Sequence, residues 1–228
     1  AGEVMDLYRG LVAFYTLDQG GQDASGNENH GVLYGPQGTS GVVGGAFAFQ
    51  GSTDYVETPD NMDLRPLDAL TVSAWFKMSA ASSNNGTIID CLEYGGAPDH
   101  STGFAIHRDG ANERIAFALG FDGETDARFS APIHFGRWHH AALAYGRASG
   151  YVKAYVDGVE VGSLSRTSNI RYNASFRPAV GARNFGQVFR GEIDEVRVYR
   201  KELTAQDVAA LFADTDGDGL ADAAEVNA

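Results

Sequence analysis

Basic side chains are scarce in this chain. Its 228 residues carry 17 lysines and arginines against 30 aspartates and glutamates, a formal net charge of -13. Nucleic acid and anionic membrane surfaces both call for basic surface, so neither is an expected partner. Cysteine is all but absent. Cys91 is the only one, which excludes an intramolecular disulfide, and in Thr87-Ile88-Ile89-Asp90-Cys91-Leu92 it reads as a small buried apolar residue. A lone thiol does not fix a redox compartment. No apolar run is long enough to span a bilayer, so no membrane insertion is expected. A signal-peptide pattern is also missing. The chain opens at Ala1 without a methionine, and the expectation is a mature or excised piece of a longer protein. Helical periodicity is missing too, until the last few turns.

What is present is strand signal. Segments 11–17, 70–79, 87–92, 103–108, 114–119, 138–145 and 151–156 are short, β-branched or aromatic, and bounded by turn residues. The 29 glycines suit a chain with many turns, and 43% hydrophobic residues can fill a core. Asp157-Gly158 between 151–156 and 159–164 is the strongest hairpin signal, because its turn needs positive φ at the centre. Near the end, Thr204-Ala205-Gln206-Asp207 has the capping-box pattern. Val208, Leu211 and Phe212 follow on one stripe, which predicts a helix over 205–213. No interdomain linker or internal repeat is visible. The division is one domain over 1–213 and an Asp-rich tail over 214–228.

That tail carries the sharpest chemical spacing. With Asp214 as position 1, acids fall at Asp214, Asp216, Asp218, Asp222 and Glu225, and Gly219 occupies position 6. This is the EF-hand calcium-loop spacing, in which Leu220 offers its carbonyl and Glu225 binds through both oxygens. The tail is similar to the thrombospondin type 3-like linkers between modules of secreted bacterial proteins. The alternative is an acidic tail without metal.

Six motifs in order carry a wider resemblance. They are Gly10-Leu11-Val12-Ala13-Phe14-Tyr15 with the turn Asp23-Ala24-Ser25-Gly26-Asn27; Phe49-Gln50-Gly51 with Asp54-Tyr55-Val56; Leu70-Thr71-Val72-Ser73-Ala74-Trp75-Phe76; Arg137-Trp138-His139-His140; Tyr155-Val156-Asp157-Gly158; and Gly191-Glu192-Ile193-Asp194-Glu195-Val196-Arg197-Val198-Tyr199. Together they resemble the laminin-G-like, concanavalin A-like lectin/glucanase modules. The resemblance implies an all-β fold: a two-sheet antiparallel jelly-roll sandwich with one short C-terminal helix. It also implies an internal calcium ion tying the early turn to the last strand. Asp23, Asn27 and Asp194 would be the side-chain ligands, with carbonyls near His30 and Gly51 completing the shell. The alternative for Asp23 to Asn27 is an Asx-type turn without metal.

The same resemblance includes enzymes. Glu192-Ile193-Asp194 is similar to the Glu-x-Asp of jelly-roll glucanases. Plain alternation puts Val196 next on that face, a bulge puts Arg197 there, and neither is acidic. Glu195 faces away unless the strand bulges. Retaining hydrolysis needs two carboxyl groups about 5 Å apart, so the pattern supplies half a site. His139 and His140 face opposite sides of a strand, and no Gly-x-Ser-x-Gly elbow occurs. No catalytic residue is therefore expected.

Ligand contacts are the least specified. Trp75 and Trp138 sit in strand motifs and read as packing residues. The loop with Tyr94 and His100, the Tyr172-Asn173 segment, and Arg108 read as contact candidates. Arg108, Arg114 and Arg128 suit acidic sugars or nearby carboxylates equally. The expectation is a secreted, non-catalytic module binding a polysaccharide or a glycoprotein glycan, joined to other domains of the same polypeptide. A calcium-stiffened spacer and a glycoside hydrolase or polysaccharide lyase are the alternatives.

Overall fold

A computed structural model describes residues 7–51, 53–93, 101–183 and 187–214, with backbone only at 182 and 183. The expected Tyr94, His100, Asp216, Asp218, Leu220, Asp222 and Glu225 lie outside the described residues.

Short extended segments dominate. In chain order they are β1 (Leu11–Tyr15), β2 (Val32–Tyr34), β3 (Gln37–Ser40), β4 (Gly45–Phe49), β5 (Tyr55–Glu57), β6 (Ala69–Met78), β7 (Thr87–Asp90), β8 (Phe104–Arg108), β9 (Arg114–Leu119) and β10 (Ala127–Pro132). They continue as β11 (Trp138–Gly146), β12 (Tyr151–Val156), β13 (Val159–Ser165), β14 (Ala179–Val180), β15 (Ala182–Arg183), β16 (Gln187–Val188) and β17 (Gly191–Tyr199). The one helix among the described residues long enough to name, α1, is Ala205–Ala213. Thr204 and Asp207 form the reciprocal capping box that the sequence predicts.

Two antiparallel sheets result, and the fold is consistent with a jelly-roll sandwich. The first runs β13-β12-β11-β6-β17-β4-β3, with β1 also on β17; the second runs β10-β9-β8-β7-β14-β5-β2. β15 and β16 make a separate ribbon. Alternate residues of β6, namely Leu70, Val72, Ala74, Phe76 and Met78, face the second sheet and enter the main core with Phe104, Ile106 and Phe117. The other face of β6 carries Thr71, Ser73, Trp75 and Lys77. A smaller apolar cluster covers part of that outer face: Leu11, Phe14, Ala142, Ala144, Tyr155 and Tyr199 pack with Leu203, Val208 and Leu211 of the helical segment. The Asp157-Gly158 hairpin is as expected, with φ of 50° and 75°.

One irregularity positions the candidate site. β17 pairs with β4 over 191–193 and with β1 over 196–199. Between them its register against β6 shifts from Asp194↔Trp75 to Arg197↔Ser73, and Glu195 takes φ 52°. This is a β-bulge at the point where β17 changes neighbour.

Candidate functional site

The bulge inserts a residue between two core positions. Ile193 and Val196 both point into the main core. Asp194 and Glu195 between them are turned to the outside, and Arg197 follows on the same face over the Phe14 ring at 4.0 Å. Of the two arrangements that the sequence leaves open, the strand takes the bulged one, with Arg197 as the next outer residue. Glu195 joins Arg197 in a buried ion pair at 2.5 Å, with only 2% of the Glu195 side chain exposed. Burial, offset in part by the Arg197 charge, pushes the Glu195 carboxyl up to about 7.

Asp194 sits in the gap that the parting of β1 and β4 leaves, and it is fully buried. Its Oδ2 accepts the backbone N–H groups of Val42 (2.8 Å) and Val43 (3.2 Å) in the turn before β4. Its Oδ1 is buried without a hydrogen-bond partner. Desolvation pushes this carboxyl up to about 6; the N–H groups of Val43, Val42 and Glu195 oppose the shift, and the Asp18 charge adds a little to it. Asp18 lies just past β1 and accepts the N–H of Gly45 at 2.6 Å. Glycine is required in this turn. A Cβ on Gly41 would overlap Asp194 Oδ2 and the Gly45 carbonyl, and one on Gly44 would overlap Asp18 Oδ1. Two carboxylates therefore converge on the 41–45 turn, and one oxygen has nothing to bind. Asp18 was not singled out in the sequence, although an acid directly after an apolar strand was the available signal.

The early turn is built differently. Asp23 Oδ1 accepts the N–H groups of Phe14 and Ser25, at 2.8 and 2.9 Å. Its Oδ2 accepts the Asn29 N–H at 2.9 Å and the Ser25 hydroxyl at 2.8 Å. Asn27 donates to the Leu11 carbonyl and to Ser25 Oγ. His30 Nδ1 accepts the Asp23 N–H at 3.0 Å. The Gly51 carbonyl accepts the Asp54 N–H at 3.2 Å, and Asp54 Oδ2 accepts the N–H groups of Gln50 and Gly51. None of these partners is shared with Asp194. Among the described residues, no three His, Cys, Asp or Glu side chains are placed to hold one metal ion. Asp214, the first residue of the tail spacing, ends α1 and is buried.

Outer-face aromatics flank Asp194. His139 turns toward the inside against Phe76, while His140 turns outward beside Trp75, as the alternation requires. Trp75 is not in the main core: it is buried on the outer face and stacked on Phe212 at 5.4 Å. Trp138 is half-buried, with the Lys77 ammonium 5.7 Å above it. Lys77 also pairs with Glu192 at 2.6 Å.

The contact candidates separate sharply. Arg108 is buried, donates to the carbonyls of Ala80, Ser82 and Ala111, and lies over Phe135. Arg114 reaches Ser130 and Asp109, and Arg128 reaches Asp126 and Ser101. Tyr172 instead lines a cleft of about 230 Å³ between the 62–67 segment and the 170–174 loop. Met62, Leu67 and the Tyr172 ring give it apolar surface over the buried Ile170, and Arg171 and Asp122 give it polar groups beside the buried Arg65. Met62 is 70% exposed and Leu67 48%. Arg65 clamps the two sides, donating to Asp60 and to the carbonyls of Ala174 and Phe176. The Tyr172 hydroxyl is sealed without a hydrogen-bond partner, and burial raises its pKa well above the usual phenol value.

Two packed antiparallel sheets carry both the acidic gap and the cleft. A family model, described as the concanavalin A-like lectin/glucanases superfamily, matches residues 50–209, and the chain belongs to that superfamily. Similar solved structures include domain 4 of AbnA, a GH43 extracellular arabinanase from Geobacillus stearothermophilus, in complex with arabinotriose. It is 23% identical with a TM-score of 0.69, over 88% of this chain and 97% of that one. The binding domain of Paraclostridial Mosquitocidal Protein 1 matches at 16% identity and a TM-score of 0.67, over 91% of this chain and 52% of that one. The receptor binding domain of a botulinum neurotoxin C/D mosaic matches at 17% and 0.65, over 90% and 51%. The chain thus spans about half the length of these toxin domains, and identities this low establish the fold alone. No curated protein sequence matches.

Proposed function

We propose that this chain is a non-catalytic, calcium-containing glycan-binding module of a larger secreted protein. The observation that carries the reading is the Tyr172 cleft. Sugar rings have apolar faces and polar edges, and the cleft offers apolar side chains beside Arg171 and Asp122. The AbnA domain, matched over 97% of its length, is described with arabinotriose bound, which supports a polysaccharide or glycoprotein glycan as ligand. Other domains of the same polypeptide would act on the captured glycan or display the module.

Calcium fits the Asp194 gap. Asp194 Oδ1 is an orphaned buried acceptor and Asp18 stands by the same turn, so a cation there would have two acids to bind. Calcium takes roughly six to eight oxygens, so carbonyls and water would supply the rest. The spacing from Asp214 to Glu225 would hold a second ion. Catalysis is disfavoured by access: Asp194 is fully buried, Glu195 is paired to Arg197, and Glu192 is paired to Lys77. General acid–base work needs a carboxyl within reach of substrate.

A glycan array, probed with and without calcium, tests the reading. Retention of a defined glycan, weakened by Leu67→Ala or by Tyr172→Ala in a folded variant, is the expected outcome. Release of reducing ends or unsaturated products from a polysaccharide panel, abolished by Glu192→Gln, would make the protein an enzyme. No retention at all would favour a calcium-stiffened spacer.

A further inference from the structure

The 62–69 segment separates two clefts. Met62, Arg65 and Leu67 line the Tyr172 cleft, while Asp68 and Ala69 line a larger one of about 820 Å³. The larger cleft lies where β1 and β6 begin and where β11 and β17 end. Its lining inverts the charge balance of the chain. Arg9, Arg147, Arg200 and Lys201 face Asp68 and Glu202, four cations to two acids, whereas the whole chain has 17 cations to 30 acids. The remaining lining residues are Gly10, Ala69, Gly146 and Ala148, so long cationic side chains surround a floor with almost no side chains. That floor is closely built: a Cβ on Gly146 would run into the Glu202 side chain, and one on Gly10 would lie 3.0 Å from Lys201 Cβ.

The cations are held in different ways. Arg147 is exposed yet anchored, donating through Nε to the Thr167 carbonyl at 3.2 Å and through one terminal nitrogen to Asn169 Oδ1 at 3.3 Å. Its backbone N–H donates to the Asp68 carbonyl at 2.7 Å, which ties it to the dividing segment. Anchoring of this kind reduces the entropy lost when a ligand is clamped. Arg200 pairs with Asp63 at 3.2 Å, but both are exposed, so the pair yields readily to a competing anion. Guanidinium groups recognise carboxylate and sulfate through paired donors.

We propose that this cleft binds an anionic saccharide unit, a uronate carboxylate or a sugar sulfate, on the same glycan whose neutral part occupies the Tyr172 cleft. The shared wall makes the two clefts one extended surface. The size agrees: ligand sites run from roughly 300 to 1,000 Å³. The proposal rests on the glycan-binding reading only in placing the neutral part of the chain. The anionic contact stands on the cationic lining itself.

The test is titration calorimetry of the whole protein with three probes: an oligogalacturonate, a sulfated heparin-derived oligosaccharide, and neutral arabinotriose. The oligogalacturonate and the sulfated probe distinguish carboxylate from sulfate as the recognised group. Wild type should bind at least one anionic probe, more weakly as salt rises. Arg9→Ala with Arg200→Ala should weaken that binding by about ten- to a hundredfold, the loss expected for charge-assisted contacts. Both residues are exposed, so the variant should fold, and its melting temperature checks this. Binding of arabinotriose should not change in that variant and should fall in Leu67→Ala. Failure of wild type to bind either anionic probe, or undiminished anionic binding by the arginine variant, overturns the proposal. Failure with arabinotriose alone counts against the neutral cleft and leaves the anionic cleft standing.

Discussion

Two aspartates that look alike in the sequence are used in opposite ways. Asp23 receives four hydrogen bonds, three from backbone N–H groups, and both oxygens are occupied. Asp194 receives two on one oxygen, and the other is buried with no partner. The first closes a turn around the start of β1. The second stands by the same turn as Asp18 with one oxygen left without a hydrogen bond. An acidic residue in a turn motif can take a further ligand only where the backbone leaves it acceptor capacity to spare.

The sharpest way to break this comparison is to remove each acid. Asp23→Ala should cost the most, about 3–5 kcal/mol. It leaves several donors near buried backbone unpaired, and each such loss costs roughly 1–3 kcal/mol. Urea unfolding should show that cost equally with calcium and with chelator. A cost that disappears in chelator would mean that Asp23 acts through a metal.

Calcium itself is the second test. A site filled at 100 times its Kd adds about 2.7 kcal/mol to stability, seen as a higher melting temperature. Asp194→Asn and Asp18→Asn should each remove most of that shift, and Asp23→Asn should keep it. If Asp23→Asn also removes it, one ion ties the early turn to the last strand, as the family resemblance implies.

His140 gives a smaller, pH-dependent effect close to Asp194. Its ring is completely buried with neither nitrogen partnered, and burial, then the Arg197 charge, lowers its pKa to about 3. Asp157 opposes this. In the unfolded chain the imidazole titrates near 6.5, so between roughly 3 and 6.5 the unfolded state holds more protons. The contribution of His140 is therefore whole above about 6.5 and is lost as pH falls through that window. Asp194 and Glu195, pushed up to about 6 and about 7, act with opposite sign: their contribution is present in acid and is lost as pH rises through those values. The readout is thus the difference between wild type and His140→Leu, which should be the flatter in acid. Identical acid limbs for the two proteins would show that His140 is neither buried nor neutral.

The smallest effect belongs to the surface. Arg200→Ala breaks only the exposed pair with Asp63, worth under about 1 kcal/mol. A larger loss in thermal unfolding would mean that the cationic cleft is structural.

Much of the fold was legible. The 205–213 helix, the Asp157-Gly158 turn and the opposed faces of His139 and His140 follow from capping chemistry, turn stereochemistry and period-two alternation. The candidate site was legible only in part. Asp194 was visible because its motif is distinctive. Asp18 was not: its place directly after an apolar strand is a common one, and it gains meaning only where the 41–45 turn folds back on β1. Arg108 reads in the sequence as a contact for acidic sugars or a partner for carboxylates, and it is instead committed to three loop carbonyls. The two clefts were invisible, since their walls come from segments separated by tens to more than a hundred residues.

The sequence by itself determined the all-β class, the strand periodicity, the helix with its cap, and the net acidic balance. These depend on local stereochemistry and on composition, which the chain carries everywhere along its length. Only the tertiary structure decided where β17 bulges, which aspartate keeps a spare oxygen, and that four of the few cations gather around one glycine-floored cleft. Those outcomes depend on which distant backbone N–H groups, carbonyls and charges the packed sheets bring together, and no local pattern encodes that.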